Sequence, residues 1–349
     1  MIILKTVDHK CPSCNASLKY NPKEKNWKCE YCGSTFTLKE LKNNEENFKN
    51  TKTDKKANED NLEMDEYYCQ DCGAKIVADK NTSATFCVYC KNTAILKSRL
   101  SDKFSPAKVI PFSKTKDDAI EAFKKVGKGK FLMPKEFSLP QNIQELTGIY
   151  IPFWLYTGKI KANVSGKGSR VSTWSTSDYI YTKTDVYLVE RNGEYVFNNI
   201  PVDGSVRFND AIMNSIEPFD YSELLDFSPS YLSGFLAERY DVESNEAKKI
   251  SIDRARQTCY NDLINNVSYS SFIPETKTGD ILDENISYVL LPVWMVNVKY
   301  NEKLYTFAMN GQTGKMIGDI PYSKKKAVFF WLIMFVICFI AFALITYFI

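Results

Sequence analysis

Histidine is nearly missing from this 349-residue chain, which has only His9. Everything after position 9 lacks the general base on which Ser-His and Cys-His dyads depend, so triad hydrolysis is excluded from any downstream domain. A phosphate loop is missing too. The glycine-rich stretches Gly127-Lys-Gly-Lys130 and Gly166-Lys-Gly-Ser-Arg170 lack the Gly-x4-Gly-Lys-Ser/Thr spacing that wraps backbone N–H groups around a phosphate, and they read as basic turns. The carboxylate pairs Asp117-Asp118 and Asp280/Asp283 have no partner pattern and read as solvated surface. No catalytic residue, no small-molecule substrate and no enzyme activity are expected. Charge of one sign is also lacking: 45 Lys and Arg against 42 Asp and Glu leave +3. Because affinity for a phosphate backbone grows with the number of charges neutralised, this balance favours protein partners over nucleic acid. Finally, Met1-Ile-Ile-Leu4 meets Lys5 with no apolar signal-peptide core, so the thiols are expected in a reducing cytosol where disulfides are rare.

Cysteine, by contrast, is patterned. Eight of the ten fall in Cys-x-x-Cys pairs: Cys11/Cys14 with Cys29/Cys32, then Cys69/Cys72 with Cys87/Cys90. Fourteen residues separate the pairs in each unit, and the second unit follows the first by 58 positions. One pair aims two thiolates at a point, and two pairs complete the tetrahedral sulfur shell that Zn²⁺ prefers, so two structural Zn²⁺ ions are expected. The ligands alone would also suit iron in an S4 site. Four thiolates leave no open position for water or substrate, which makes the sites structural rather than catalytic. Each unit is too small for a core of its own, so metal would supply most of its folding free energy. The neighbouring aromatics (Tyr20, Trp27, Tyr31 and Phe36; Tyr67, Tyr68, Phe86 and Tyr89) either pack over the knuckles or form a recognition surface. His9 reads as a surface residue rather than a fifth ligand.

These patterns divide the chain into ribbon 1 (1–38), a charged tether (39–66), ribbon 2 (67–98), a body (99–322) and a terminal segment (323–349). The tether has six lysines, nine acidic residues, no proline and no glycine, and too few apolar positions to fold alone. In the body, alternating residues over 178–191 and 193–197 predict a hairpin turning at Asn192-Gly193. A second hairpin is predicted over 288–300 and 304–310, turning at Asn301-Glu302. Helices are predicted over 117–126, 209–216 and 244–267, the last with a capping serine and apolar residues Ala247, Ile250, Ala255, Cys259, Leu263, Ile264 and Val267 at helical spacing. The segments 149–155 (IYIPFWL) and 289–295 (VLLPVWM) echo one another, with proline opening an apolar stretch that contains tryptophan, and suggest two related β-units.

The predicted fold class is α+β: two small N-terminal zinc ribbons, a mainly antiparallel β-rich body with a few helices, and one C-terminal transmembrane helix. That helix is expected over 327–349, where twenty-three residues carry no charge. Lys324, Lys325 and Lys326 precede it, so a single-pass tail anchor in the cell membrane is expected, with the bulk of the chain in the cytoplasm.

The motifs Cys-Pro-Ser-Cys14 and Cys-Glu-Tyr-Cys-Gly33, the body entry Val109-Ile-Pro-Phe112, the boxes Tyr150-Ile-Pro-Phe-Trp154 and Leu291-Pro-Val-Trp294, and the apolar end together resemble bacterial TFIIB-type zinc ribbon-containing membrane proteins. Lys91 stands where a glycine usually follows the last cysteine. The resemblance implies an adaptor or scaffold at the lipid bilayer, beside PspA-like and SPFH-domain proteins in an envelope-stress response. The rival expectation is a membrane-tethered nucleic-acid-binding regulator. It draws on Lys5, Lys10, Lys19, Lys23, Lys25 and Lys28, which outnumber Asp8, Glu24 and Glu30 in the first ribbon.

Overall fold

A computed structural model of the chain describes residues 10–41, 64–68, 75–79, 82–86, 93–95, 105–206, 208 and 210–348. The first cysteine unit folds as a three-stranded antiparallel sheet of β1 (Leu18–Asn21), β2 (Asn26–Cys29) and β3 (Thr35–Phe36). Most of the stretch predicted as a tether lies outside the described residues. Beyond it, β4 (Met64–Tyr68) pairs with β5 (Lys75–Asp79), and β6 (Thr82–Phe86) pairs with β7 (Thr93–Ile95).

The body is organised by β8 (Lys108–Val109), the long strands β9 (Ile143–Ser175) and β10 (Ile180–Asp203), the short β11 (Leu225–Asp226) and β12 (Leu236–Glu238), then β13 (Ser271–Tyr300), β14 (Lys303–Asn310) and β15 (Met316–Gly318). β9 and β13 run antiparallel through the middle of the sheet, with β10 and β14 on their outer sides and β12 linking β9 to β6. Along β9 the burial pattern changes as its sequence does. The continuous apolar run 149–155 is buried on both faces, and beyond it Ile160, Ala162 and Val164 are buried while Lys159 and Lys161 face solvent.

The two echo segments lie side by side. Pro292 pairs with Tyr150 and Leu290 with Pro152, so both prolines lie inside the same antiparallel ladder, nearer its Ile143–Val298 end, rather than opening a strand. Their surroundings match. Ile149–Tyr150 of β9 pair in parallel with Leu236–Ala237, and Val289–Leu290 of β13 pair in parallel with Lys108–Val109. The Pro152 carbonyl accepts from Gly204 N–H, and that of Pro292 from Gly311 N–H. The Trp154 indole donates to Val242 O at 2.9 Å, and the Trp294 indole to Lys114 O at 2.9 Å. Each unit therefore runs short strand, helix, long strand, hairpin strand, and each tryptophan is held by the other unit's segment leading into a helix.

The helices of the two units are α1 (Lys116–Lys125) and, after the short α2 (Asp210–Ser215), α3 (Ser244–Asn265). α1 starts at a capping box in which the Thr115 hydroxyl and the Asp118 backbone N–H and carboxylate satisfy one another. The predicted serine cap of α3 is not seen: Ser244 is the first helical residue and Glu243 holds the cap position. Its buried positions Ala247, Ser251, Ala255, Cys259 and Leu263 recur every fourth residue. Ala255, Cys259 and Leu263 cover Ile160, Ala162 and Val164 of β9, while Ile250 is left exposed.

The hairpin at Asn301-Glu302 forms as predicted, both residues at positive φ (48° and 62°) and Tyr300 paired with Lys303. The hairpin at Asn192-Gly193 does not. Those residues continue β10 in register, Asn192 opposite Asn163 and Gly193 opposite Ala162, and the chain turns instead at 176–179. Pairing along the whole of β9 outweighs a two-residue turn preference.

The fold class is corrected in one respect: the architecture is β-rich with a few helices, and the predicted transmembrane helix is not part of it. The terminal helix α4 (Lys324–Phe348) forms, but among the described residues no helix is long and apolar enough to cross a membrane. The first turn of α4 carries Lys324, Lys325 and Lys326.

Candidate metal centre

The first four cysteines come together at one end of the small sheet. The two knuckles are built alike. In one, Cys11 N–H bonds to Ala16 O and Asn15 N–H to Cys11 O; in the other, Cys29 N–H bonds to Ser34 O and Gly33 N–H to Cys29 O. Both end on a left-handed residue, Asn15 at φ 62° and Gly33 at φ 75°, which folds the chain back so that the two thiols of a pair face the same point. Ligand atoms of Cys11, Cys14, Cys29 and Cys32 all lie within 4.8 Å of one another. Cys11 Sγ is 3.6 Å from Cys32 Sγ, and Cys14 Sγ is 3.5 Å from Cys29 Sγ. A tetrahedron with metal–sulfur bonds of about 2.3 Å has edges of about 3.8 Å, and a disulfide is about 2.05 Å long. The spacing therefore fits a shared ion and not a bridge.

Cys11 and Cys29 are buried and Cys32 is exposed. Hydrogen bonds from the Ser34 hydroxyl and backbone N–H stabilise the Cys32 thiolate and push its pKa down to about 6. Cys14 goes the other way: the Ala16 N–H favours its thiolate, but desolvation and the neighbouring thiols together push it up to about 12. Four thiols this close resist joint ionisation, and a divalent cation removes that conflict.

The ribbon is docked on the body. Trp27 is buried, and its indole N–H donates to Ser230 O at 2.7 Å. Tyr20 N–H donates to Ser233 O, and the rings of Tyr20, Trp27 and Tyr231 form a triangle with centroids 5.0–5.7 Å apart. Leu18, Trp27 and Cys29 belong to the same apolar cluster as Phe112, Tyr150 and Trp294 of the body. At the rim Lys25 meets Glu223 at 3.3 Å, and Glu223 also accepts from Gln312 Nε2 at 2.7 Å. Gln312 neighbours buried Asn310, whose amide holds the Ile216 and Pro218 carbonyls. Of the aromatics named from the sequence, Tyr20 and Trp27 are spent on this interface, Phe36 packs at its edge, and Tyr31, between Cys29 and Cys32, is 85% exposed. The residues that receive the ribbon, Ser230, Tyr231, Ser233 and Glu223, were not anticipated, because no motif or periodicity marks them.

Cys69, Cys72, Cys87, Cys90 and His9 lie outside the described residues. Between Cys72 and Cys87 in the sequence, β6 pairs with β12 of the body, Ala84 opposite Ala237, and Ala84 is fully buried.

Close to this hub, burial raises the Glu217 carboxyl from its ordinary 4.5 to about 7, with Arg254 and Lys315 offsetting only part of the effect. The folded state thus holds this proton more tightly than the unfolded chain, and its contribution to stability is lost as pH rises from about 4.5 to about 7. Glu217→Gln is expected to flatten that part of the profile and to raise the melting temperature at pH 8 more than at pH 5. Thermal scans by circular dichroism at the two pH values check it, and equal shifts at both would refute the assignment.

Taken together, the fold and site define a β-rich protein of two facing units that carries a docked ribbon whose four cysteines could hold a metal ion. The uncharacterized protein YdjG of Bacillus subtilis (strain 168) is 34% identical over 326 residues, covering 92% of this chain and 92% of its own. The chain belongs to the YdjG family. No family model matches it, and no solved structure matches it.

Proposed function

We propose that the protein is a zinc-ribbon adaptor that recruits protein partners at the cytoplasmic face of the membrane, in an envelope-stress response with SPFH-domain and PspA-like proteins. The first site holds a structural Zn²⁺, and Cys69, Cys72, Cys87 and Cys90 hold a second. One observation carries this reading: the ribbon is held against the body through Tyr20 and Trp27, yet it presents Tyr31, on the tip of a ligand-bearing knuckle, almost wholly to solvent. A rigid exposed aromatic on a scaffold fixed by metal is what a protein-recognition hot spot needs. The rival nucleic-acid reading is weakened because two of the ribbon's lysines are already engaged, Lys19 by Glu30 at 2.6 Å and Lys25 by Glu223. The test is co-purification of SPFH-domain and PspA-like proteins with the full chain, after nuclease treatment, for wild type and Tyr31→Ala. The variant should keep its metal and lose the partners. Partners that depend on nucleic acid, or that are indifferent to Tyr31, would count against the proposal.

A further inference from the structure

Exposed apolar side chains and lysines gather where the loop after α1 meets the root of α4. The loop is held in place by its own turns: Lys130 N–H bonds to Gly127 O and Met133 N–H to Lys130 O, and Met133 is buried. It is also tied to the helix. Ser323 N–H donates to Leu132 O at 2.8 Å, Lys326 Nζ donates to Met133 O at 2.7 Å, and the rings of Phe131 and Phe330 lie 6.3 Å apart. Between loop and helix runs an open groove of about 460 Å³, lined by Phe131, Leu132, Ile320, Tyr322 and Phe330, with Lys130 its charged member. Phe131, Leu132 and Tyr322 nonetheless stay exposed, and Val328, Phe329 and Trp331 of α4 extend the apolar surface.

The same surface is basic. Residues 124–135 carry five lysines and residues 320–331 carry three, with no acidic residue in either stretch, whereas the chain as a whole is only +3. Lys128, Lys130, Lys324 and Lys325 are exposed and have no ion-pair partner among the described residues. A second copy set face to face here would oppose lysine to lysine. A nucleic acid would match the charge and leave the apolar groups unused. A layer of anionic head groups over hydrocarbon matches both, since basic side chains are drawn to its surface while large apolar ones enter the boundary beneath.

Resting on the membrane placement given above, we propose that this end of the body lies on the surface of an anionic lipid bilayer. Phe131 and Leu132 enter at head-group level, and Lys128, Lys130, Lys324 and Lys325 meet lipid phosphates. The contact is peripheral and asks no segment to cross.

The test is flotation of the full chain with vesicles of phosphatidylcholine alone and with vesicles that also contain phosphatidylglycerol. Wild type should partition more strongly onto the anionic vesicles, and added salt should weaken it. Lys130→Ala should lower that partition about fivefold, as expected for one lysine at an anionic surface. Phe131→Ala should lower it about tenfold through lost apolar burial. Lys161→Ala, which removes an exposed lysine of β9, should change nothing. Circular dichroism checks the fold of each variant, and Leu132→Ala replaces Phe131→Ala if the latter unfolds. Equal binding to both vesicles, indifferent to these variants, would mean that the apolar side chains of α4 alone hold the chain; the proposal then falls while the membrane placement stands. No binding to either vesicle overturns both. A lysine effect without a Phe131 effect, which any polyanion would give, or a Phe131 effect without a charge effect, also overturns the proposal.

Discussion

Cys29→Ser is expected to empty the first metal site and to loosen the body as well as the ribbon. Cys29 has no solvent exposure, ends β2 two residues after Trp27, and sits in the apolar cluster that continues into Phe112 and Tyr150. Structural zinc in a small module supplies about 10–16 kcal/mol of apparent binding free energy, which in such a module is folding free energy. Removing one of four thiolates leaves a hydroxyl that binds the ion poorly and three thiolates with no shared cation. The ribbon should then unfold, and the segment 228–235 should lose the rings and the donors that Trp27 and Tyr20 bring to it. Metal analysis should show one ion fewer per chain. Hydrogen exchange should show lost protection at the Tyr20 amide and across 228–235. Unchanged protection in that body segment would mean that the ribbon is only tethered.

Trp27→Ala separates docking from metal binding. The side chain is the largest buried group of the ribbon and is enclosed by Tyr20 and Tyr231, with its N–H satisfied at Ser230 O. Truncating a buried tryptophan typically costs about 3–5 kcal/mol, from lost transfer free energy and the cavity left behind. The Ser230 carbonyl would also lose its donor. Trp27 is not one of the four ligands, so the variant is expected to retain its metal while its urea midpoint falls and 228–235 becomes exchangeable. A loss confined to the ribbon, with the body's midpoint unmoved, would contradict the docked arrangement.

The first site was legible because a sulfur shell is built from local pieces. Two knuckles need only their own four residues and a left-handed residue after each, and Asn15 and Gly33 supply the latter. Helices α1 and α3 were legible from periodicity, and the turn at Asn301-Glu302 from the polar pair between two strands. The turn proposed at Asn192-Gly193 was as plausible locally and failed, because β10 gains a continuous ladder only if Gly193 stays extended opposite Ala162. The terminal segment misled in a different way: its uncharged run read as a membrane span, whereas among the described residues no helix is long and apolar enough to cross one.

The echo of 149–155 and 289–295 shows most clearly where sequence stops. The two proline-tryptophan segments were visible as repeats, but not that they pair with each other, nor that each indole reaches the other unit at Val242 and Lys114. By itself the sequence determined the gathering of four cysteines that could hold a metal ion, the scarcity of histidine and the main helices, since these depend on residue type and short spacing. Only the tertiary structure decided that ribbon 1 is seated on the body through Trp27, Ser230 and Ser233, and that each proline-tryptophan segment pairs with the other. Contacts between residues some two hundred positions apart are set by the shape of the packed sheet, which no local pattern encodes.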